Sequence, residues 1–473
     1  MMAFRQVFAR VDGTRLHMRV GGKGPLVVLL HESPRSSAAM LPLATAMAGR
    51  ATVLALDTPG YGLSDPLEDT APGIERYGEV VLDLLATLDA PPALLVGRHT
   101  GALIAAAAGA NSTRSKPLVA GVFGEGFPMF DADERADALA NYLPPFEPRW
   151  DGTHVAWLWS RIADQFEVFP WYRRSDAARL PYAPPSPAAM HRVAVDIIAS
   201  GSHYASAYRA AFRAEPHALL AAAGVPICVG ARTSDIIGEH MSRLPPDVRA
   251  AHLPDSNAGA ADAILDAHWS SAGAPTDADT LIVRAAQSTP ETRILSHGAT
   301  TWRLDGEASA PVLNIVDTFT APSTPAVGEA LLSPLQFADD PDEALSDSAY
   351  LVAALRASGA HKTVSAQGSA YALAPDAKWT DRWPVAASLV PPDLDPQRDG
   401  GHLAAAWWLA RDALVHGPFR APSAGGTGDW DALSAERIHQ VFRGLVLAGP
   451  SAPRTLWALG RASVAAFKGA VET

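Results

Sequence analysis

The stretch Ala93-Leu-Leu-Val-Gly-Arg-His-Thr-Gly-Ala102 decides the fold of this chain. The apolar residues 93–96 indicate a short buried strand, and the run of small residues 102–110 that follows indicates a helix. The chain must turn sharply between them, and Gly97 and Gly101 supply the small residues that so tight a turn requires. His99 stands at the centre of this turn, which directs its side chain toward a pocket.

Short apolar segments alternate with helical ones on both sides of this turn. A helix is predicted at 74–88, and strands are predicted at 16–20, 26–30, 51–56, 93–96, 118–123, 226–229 and 248–253. Strands that alternate with helices imply an α/β fold with a doubly wound, mostly parallel sheet. The insertion at about 130–223 reads as mostly helical, and its place in the chain suits a lid over the carboxyl ends of the strands.

The second half of the chain repeats the first. Pro148-x2-Asp-Gly-x-His154-x4-Trp159 recurs as Pro396-x2-Asp-Gly-x-His402-x4-Trp407, and the same register continues without a gap. Upstream the match is weaker: residues 363–371 correspond to 94–102, and Gly368 stands where His99 would be. The second half is therefore predicted to be a truncated, degenerate copy of the first.

The repeat divides the chain near residues 289–292, after a polar, Ala-rich connector that begins at Ser256. Residues 1–290 are predicted to form an α/β domain with the helical lid, and residues 291–473 the copy. We expect the copy to lack a counterpart of the strand and turn at 51–62. Because each half carries the same Trp-bearing helix, the two lid segments are expected to pack together as an intramolecular pseudo-dimer.

Two further motifs follow predicted strands. They are His31-Glu-Ser-Pro-Arg-Ser-Ser37 and Asp57-Thr-Pro-Gly-Tyr-Gly-Leu-Ser-Asp65. With Gly97-x-His99-x-Gly101 they resemble the α/β-hydrolase superfamily, on its epoxide-hydrolase and haloalkane-dehalogenase-like branch. The resemblance covers about residues 8–255 and implies an α/β-hydrolase fold with a nucleophile elbow, followed by a degenerate second repeat of the same kind. Within the second motif, Asp57 and Ser64 are expected to cap a turn.

His99 occupies the position where this superfamily carries a Ser, Asp or Cys nucleophile. An imidazole can attack an acyl group, but more often it moves protons. The N-terminus of the following helix is expected to lower the pKa of His99 and so to favour the neutral base.

The resemblance implies an acid partner for the elbow residue. It matches Asp235, with Glu125 as the alternative. No histidine follows the predicted last strand at 248–253, where the superfamily carries one, and this argues against ordinary Ser-His-Asp hydrolysis.

The same resemblance implies an oxyanion hole formed by the main-chain N–H groups of Ser33 and Thr100. Glu32 replaces the glycine usual beside that hole, and its carboxylate would oppose an oxyanion unless it points away or pairs with Arg35. The further candidates for the substrate pocket are His31, His154, Trp159, His203 and Tyr204. The copy retains His154 and Trp159 as His402 and Trp407 although it has lost the elbow, which favours packing over substrate contact for this pair.

Composition excludes several functional classes. There are 38 Lys and Arg against 50 Asp and Glu, a net charge of −12, which argues against nucleic acid or an anionic membrane as a partner. The single cysteine, Cys228, excludes an internal disulfide and fits a reducing cytoplasm. The histidines are dispersed and no Gly-rich phosphate loop occurs, so neither a metal nor another cofactor is expected. No apolar stretch approaches the ~20 residues that span a bilayer.

We therefore predict a cofactor-free cytoplasmic enzyme that acts on a small, largely apolar organic molecule. Hydrolysis of an ester-like acyl bond and proton abstraction, as in a lyase, isomerase or cyclase, fit the residues about equally. An alternative from another class is a retired hydrolase that serves as a binding or assembly module. Further association into a homo-oligomer is left open by the sequence.

Overall fold

A computed structural model describes residues 4–112, 117–268, 273–297, 300–306, 312–316, 329–336, 363–367, 394–416 and 433–449. The chain divides into two compact units. Unit 1 consists of residues 1–146, 167–181 and 199–289, and unit 2 of residues 147–166, 182–198 and 290–473. Two segments of the insertion predicted as a lid, 147–166 and 182–198, therefore belong with the C-terminal part of the chain.

Unit 1 is built on an eight-stranded sheet. Its strands are β1 (Arg5–Val11), β2 (Thr14–Leu30), β3 (Thr52–Leu56), β4 (Ala93–Arg98), β5 (Val119–Glu125), β6 (Ile227–Arg232), β7 (Arg249–Leu253) and β8 (Pro275–Asp277). The strand order is β1-β2-β4-β5-β6-β7, and β3 and β8 pair with β2. Strands β4 to β7 are parallel to one another and to the end of β2, which confirms the predicted doubly wound, mostly parallel sheet.

The strands predicted at 16–20 and 26–30 are one continuous strand, β2. From Met18 to Gly22 its partners on β3 run back from Leu56 to Thr52, whereas from Leu26 to Leu30 they run forward again. Strand β3 thus lies between the two halves of β2. The bend requires Gly22, whose φ is +86° and where a Cβ would overlap the carbonyl of Ala51. Strand β1, which was not predicted, pairs antiparallel with the first half of β2.

The helices are α1 (Ser37–Met47), α2 (Ile74–Thr87), α3 (Thr100–Asn111), α4 (Ala132–Asn141), α5 (Thr153–Glu167), α6 (Pro187–Ser200), α7 (Ser206–Arg213), α8 (Pro216–Ala221), α9 (Asn257–His268), α10 (Ala278–Ser288), α11 (Gly401–His416) and α12 (Ala435–Ala448). Both faces of the unit 1 sheet are covered: Val28 and Leu30 pack in one apolar core, and Val27 and Leu29 in another. The connector predicted from Ser256 holds α9 and α10. Helix α9 forms because its apolar residues recur on one buried face: Ala260, Ala261, Ile264 and Leu265.

Unit 2 contains a second sheet of five strands. They are β9 (Thr292–His297), β10 (Thr300–Gly306), β11 (Val312–Val316), β12 (Glu329–Gln336) and β13 (Thr363–Gln367), in the order β13-β11-β12-β10-β9. Unit 1 has the same order of neighbours, in which the corresponding strands are β4, the end of β2, β3, the start of β2 and β1. Strand β12 holds the place of β3, so the expectation that the second half lacks this strand is wrong. Strand β12 was not predicted because Ser333 and Pro334 interrupt its apolar residues, whereas β3 is a continuous apolar run. Gly368 lies outside the described residues.

Unit 2 contains two reciprocal contacts between a glycine and a tryptophan ring. Gly152 lies against the Trp407 ring, and Gly400 lies against the Trp159 ring. Both glycines have left-handed backbone angles, φ +75° and φ +76°. The indole N–H of Trp159 donates to the Arg398 carbonyl at 3.0 Å.

Two histidine pairs accompany these contacts. The N–H of Arg149 donates to Nδ1 of His154, so Nε2 of that ring carries the proton and faces Nδ1 of His439 at 3.4 Å. In the same way, the N–H of Gln397 donates to Nδ1 of His402, and its Nε2 lies 3.0 Å from Nδ1 of His191. Among the helices of the described residues, none is long and apolar enough to cross a membrane.

Candidate active site

The centre of the candidate site is the turn between β4 and α3. His99 has φ +46° and ψ −111°, a region that side-chain-bearing residues rarely adopt. Gly97 and Gly101 allow this geometry, because a Cβ at Gly97 would overlap the Gly101 carbonyl and a Cβ at Gly101 would overlap the Leu30 carbonyl. Strained residues of this kind persist where the surrounding structure fixes them, and they cluster at active sites. The His99 side chain is 28% exposed.

Asp235 binds the imidazole of His99. It follows β6, and its Oδ1 and Oδ2 lie 3.0 and 3.2 Å from Nε2 of His99. The N–H of Ile237 donates to the same Oδ1 at 3.0 Å and fixes the carboxylate. Only 6% of the Asp235 side chain is exposed.

The electrostatics of this pair differ from expectation. Burial favours the neutral imidazole, but the hydrogen bond and charge of Asp235, with the charge of Glu32, raise the pKa of His99 above its ordinary value. The expected lowering of the pKa is therefore wrong, because the hydrogen bond and charge of a carboxylate 3.0 Å away, with the charge of Glu32, outweigh burial and the charge of Arg98. Burial likewise acts to raise the pKa of Asp235, but the hydrogen bond from His99 lowers it below its ordinary value.

Glu125, the alternative acid, has other partners. Its Oε1 accepts hydrogen bonds from a terminal nitrogen of Arg98 at 3.0 Å and from Nε of Arg232 at 2.6 Å. Its main-chain carbonyl accepts the N–H of His99 at 3.0 Å. Of the two candidate acids, Asp235 is the one that the structure brings to the imidazole, and Glu125 fixes the backbone beside it.

The two predicted oxyanion donors stand at the carboxyl edge of the sheet. Thr100 is the first residue of α3, so its N–H has no acceptor within the helix. Ser33 follows the end of β2 and is buried, and its hydroxyl is hydrogen-bonded to the hydroxyl of Tyr61. Their role in binding an oxyanion stays a prediction.

The first motif supplies one structural ring and one charged side chain. Thr58 N–H donates to Nε2 of His31 at 3.0 Å, so Nδ1 carries the proton and donates to the Glu32 carbonyl at 2.9 Å. Both nitrogens of His31 are thus occupied by main-chain groups. Glu32 is a carboxylate: burial alone would raise its pKa, but the charges of Arg98, Arg35 and His99 lower it to about 2. Its Oε1 lies 3.9 Å from a terminal nitrogen of Arg35, within ion-pair range.

The remaining predicted pocket residues have contacts of other kinds. Tyr204 is buried, with its hydroxyl bonded to the Pro144 carbonyl and its own carbonyl bonded to the hydroxyl of Tyr61. His203 is exposed beside Gly60. His154 and Trp159 belong to unit 2, where their contacts with Trp407, His439 and Arg398 favour the packing role.

His240 is a residue that sequence reasoning missed. It lies in a short 3-10 helix, Gly238–Arg243, just after Asp235, and its buried Nδ1 accepts the N–H of Met129 at 3.1 Å. Burial, then the charge of Arg243 and to a smaller extent that of His99, lowers the pKa of His240. The sequence signal that could have identified His240 is its position shortly after Asp235.

Among the described residues, no cluster of three or more His, Cys, Asp or Glu side chains could hold a metal ion. A cleft of about 340 Å³ lies between α2, α3, α7 and α8, and six of its thirteen lining residues are alanines. None of the predicted site residues lines this cleft.

No protein-family model matches the sequence. The chain is 35% identical over 132 residues to a 2-(acetamidomethylene)succinate hydrolase of Mesorhizobium japonicum, which is 28% of this chain and 46% of that protein. It is 33% identical over 99 residues to an uncharacterized protein of Mycobacterium bovis, 21% of this chain and 28% of that one. The chain thus spans under half the length of the curated relatives it matches.

Solved structures of hydrolases are also similar at low identity. An E-2-(acetamidomethylene)succinate hydrolase is 22% identical, with 56% of this chain and 98% of that chain covered and a TM-score of 0.38. An enol-lactonase from Burkholderia xenovorans is 19% identical, with coverages of 56% and 98% and a TM-score of 0.40. The strand order of unit 1, its elbow at His99 and the sequence similarity to a curated hydrolase identify the fold of this unit as that of the α/β-hydrolase superfamily.

Proposed function

We propose that unit 1 hydrolyses an ester-like acyl bond of a small organic molecule, with His99 as the general base. One observation carries the proposal: Nε2 of His99, at the elbow, lies 3.0 Å from Asp235. A carboxylate only accepts hydrogen bonds, so Asp235 selects the Nε2–H tautomer and leaves the lone pair of Nδ1 for proton transfer. The similarity to a named hydrolase supports chemistry of the same class.

In the proposed reaction, Nδ1 of His99 takes a proton from water as the water oxygen bonds to the carbonyl carbon. The electron pair of the C=O bond moves to oxygen, and the N–H groups of Ser33 and Thr100 donate to that oxyanion. When the oxyanion collapses, the bond to the leaving oxygen breaks and the imidazolium returns its proton to it. The products are a carboxylic acid and an alcohol, and His99 is neutral again.

Asp235 and Glu125 have different roles in this mechanism. Asp235 orients the ring and stabilises the imidazolium that forms during the reaction, in keeping with the raised pKa of His99. Glu125 is a positioning residue, because its carbonyl holds the N–H of His99 and its carboxylate binds Arg98 and Arg232.

Proton abstraction from a substrate C–H or O–H group, as in a lyase, isomerase or cyclase, is a second candidate. Glu32 is the observation that favours it: this ionised carboxylate immediately precedes Ser33 and would oppose an oxyanion there. The same base would serve both reactions. Incorporation of deuterium from D₂O into a recovered substrate carbon would identify proton abstraction, whereas incorporation of ¹⁸O from labelled water into the acid product would identify hydrolysis.

The first experiment compares the wild type with His99→Ala on short activated esters, lactones and epoxides. His217→Ala, an exposed histidine on α8, is the matched control, and circular dichroism checks the fold. We expect turnover by the wild type and the control and a loss of about 100-fold or more in His99→Ala. Equal turnover in all three would overturn the role of His99. Ligand binding without turnover by any of them would favour the retired binding module.

We also propose that unit 2 combines the two lid segments as an intramolecular pseudo-dimer that arose by duplication. Three observations support this: the matching strand orders of the two sheets, the reciprocal contacts of Trp159 with Gly400 and of Trp407 with Gly152, and the two histidine pairs. Self-complementary contacts of this kind are typical of two-fold interfaces. The role of unit 2 would then be that of a scaffold.

A further inference from the structure

The hydroxyl group of Tyr61 joins three parts of unit 1. Tyr61 lies in the turn after β3, within the second motif of the sequence, and is buried. Its hydroxyl donates to the Tyr204 carbonyl at 2.8 Å and accepts the main-chain N–H of Tyr208 at 3.3 Å. The hydroxyl of Ser33, which follows β2, is bonded to the same group. One side chain thus connects the segments that follow two strands of the sheet to the start of α7.

The donor and acceptor roles in this network follow from its chemistry. A phenol has one proton, and the Tyr204 carbonyl can only accept, so that proton is used there. The hydrogen bond between the two hydroxyls therefore has Ser33 as its donor and the Tyr61 oxygen as its acceptor. This bond sets the rotation of the Ser33 side chain, and the main-chain N–H of the same residue is the predicted oxyanion donor.

The same oxygen caps a helix of the insertion that was predicted as a lid. Ala207 and Tyr208 lie in the first turn of α7, where N–H groups have no acceptor within the helix. The residue at the N-cap is Ala205, whose methyl group cannot accept a hydrogen bond, and Tyr61 supplies the acceptor instead. The positions of Ser33 and of α7 therefore depend on one hydroxyl group.

We propose that Tyr61 is a positioning residue for the oxyanion hole, and that its hydroxyl holds Ser33 against the first turn of α7 so that the Ser33 N–H points to the reacting carbonyl. This inference rests on the proposed acyl hydrolysis. Tyr61 acts through Ser33 and does not itself contact the substrate. The oxyanion hole is then complete only while α7 is in place, which connects the insertion to catalysis through defined hydrogen bonds.

Tyr61→Phe removes the oxygen and retains the ring, which packs edge-on against the His31 ring with the ring centroids 5.7 Å apart. The substrates are 4-nitrophenyl acetate and its thiono analogue, in which sulfur, a weaker hydrogen-bond acceptor, replaces the carbonyl oxygen. We expect Tyr61→Phe to lower kcat for the oxygen ester by about 10-fold or more and to change KM by less than about 3-fold, because the oxyanion develops only in the transition state. The loss on the thiono ester should be smaller, so the preference for the oxygen ester should narrow.

Ser33→Ala tests the other side of the same bond, because it removes the hydroxyl and keeps the main-chain N–H. It should show a similar loss of kcat, and the double variant should lose less than about 3-fold more than either single variant. Tyr77→Phe is the matched control, because Tyr77 is a buried tyrosine of α2 whose hydroxyl makes no hydrogen bond with the described residues. Its kcat should match that of the wild type.

Wild-type kcat in Tyr61→Phe, equal losses on the two esters, or losses that multiply in the double variant would overturn the inference and leave the hydrolysis intact. Amide hydrogen exchange, which needs no turnover, separates this outcome from failure of the proposed function. In Tyr61→Phe, peptides from residues 31–37 and 204–213 should exchange about 5-fold faster or more than in the wild type, with no change in Tyr77→Phe. Faster exchange without hydrolysis of either ester would support the connection of Ser33 to α7 and overturn the hydrolysis. Unchanged exchange without hydrolysis would overturn both.

Discussion

His99 and Asp235 meet across a strand: they follow β4 and β6, and β5 lies between these two strands in the sheet. Gly126 directly follows β5, lies against both side chains and has a φ of +61°. A Cβ there would lie 2.6 Å from Nε2 of His99 and would overlap the carboxylate of Asp235. The absence of a side chain at Gly126 is what allows the two residues to reach each other.

Gly126→Ala is therefore expected to separate His99 from Asp235 and to lower kcat/KM by about 100-fold. Gly13→Ala is the matched control, because its φ is +82° but a Cβ there meets nothing within 4 Å in the part of the chain that the structure describes. Both variants should lose about 1–2 kcal/mol of the free energy of unfolding from the left-handed backbone alone. Urea denaturation and ester hydrolysis measure the two effects. A Gly126→Ala enzyme as active as Gly13→Ala would contradict the role of the pair.

The pH dependence of activity should report the pKa of His99. A general base must be neutral, and Asp235 raises the pKa of His99 by stabilising the imidazolium. We therefore expect kcat/KM to rise with pH through an inflection above 6.5, the ordinary value. Asp235→Asn removes the negative charge, so the inflection should move to lower pH while the plateau falls by about 100-fold or more. An inflection that stays in place would show that another group is titrating.

The sequence was sufficient to predict the elbow because its requirements are steric and local: Gly97 and Gly101 have no room for a side chain. The partner of His99 followed only from a resemblance, since Asp235 comes from a distant part of the chain, and Glu125 remained as the alternative. The structure separates them by their neighbours, because the arginines at the ends of β4 and β6 occupy the carboxylate of Glu125.

The direction of the His99 pKa shift was not predictable in the same way. It depends on the balance between burial and the charges of Asp235, Glu32 and Arg98, and sequence spacing does not give the distances between these groups. Strand β12 escaped prediction for a different reason. Its sequence, EALLSPLQ, has neither the alternation nor the apolar run of a typical strand, and its pairing with β10 and β11 fixes its conformation.

The histidine pairs predict an acid-sensitive unit 2. Burial is the main cause that lowers the pKa of His154, His191 and His402 to about 4 and that of His439 to about 3. The folded pKa values lie below the unfolded value of 6.5, so the unfolded chain binds protons first as pH falls. The free energy of unfolding should therefore decrease from pH 6.5 toward pH 4, by about 1.4 kcal/mol for each pKa unit of each ring.

Proton uptake during urea unfolding at pH 5.5 measures this effect directly. His191→Gln removes one titrating ring and should lower the uptake by about one proton. His217→Gln, which removes an exposed histidine of unit 1, should lower it by much less. Equal proton uptake by the two variants would contradict the lowered pKa values of the buried histidines.

The reciprocal packing in unit 2 gives a test of its two-fold character. A Cβ at Gly152 would lie 2.6 Å from the Trp407 ring, and a Cβ at Gly400 would lie 2.6 Å from the Trp159 ring. Gly152→Ala and Gly400→Ala should each lower the free energy of unfolding by about 2–4 kcal/mol, through the left-handed backbone and the overlap together. Gly449→Ala, at φ +102° where a Cβ meets no atom of the described residues within 4 Å, should show the backbone part alone.

Replacement of the facing ring distinguishes packing from backbone strain. Trp407→Leu makes room at Gly152, so the double variant Gly152→Ala/Trp407→Leu should be more stable than the sum of the two single losses, by about 1 kcal/mol or more. Trp159→Leu should do the same for Gly400→Ala. The mismatched pair, Gly152→Ala with Trp159→Leu, should be additive, because these residues do not face each other in the reciprocal contacts. Coupling in one matched pair but not in the other would contradict the pseudo-dimer, since a two-fold arrangement requires both.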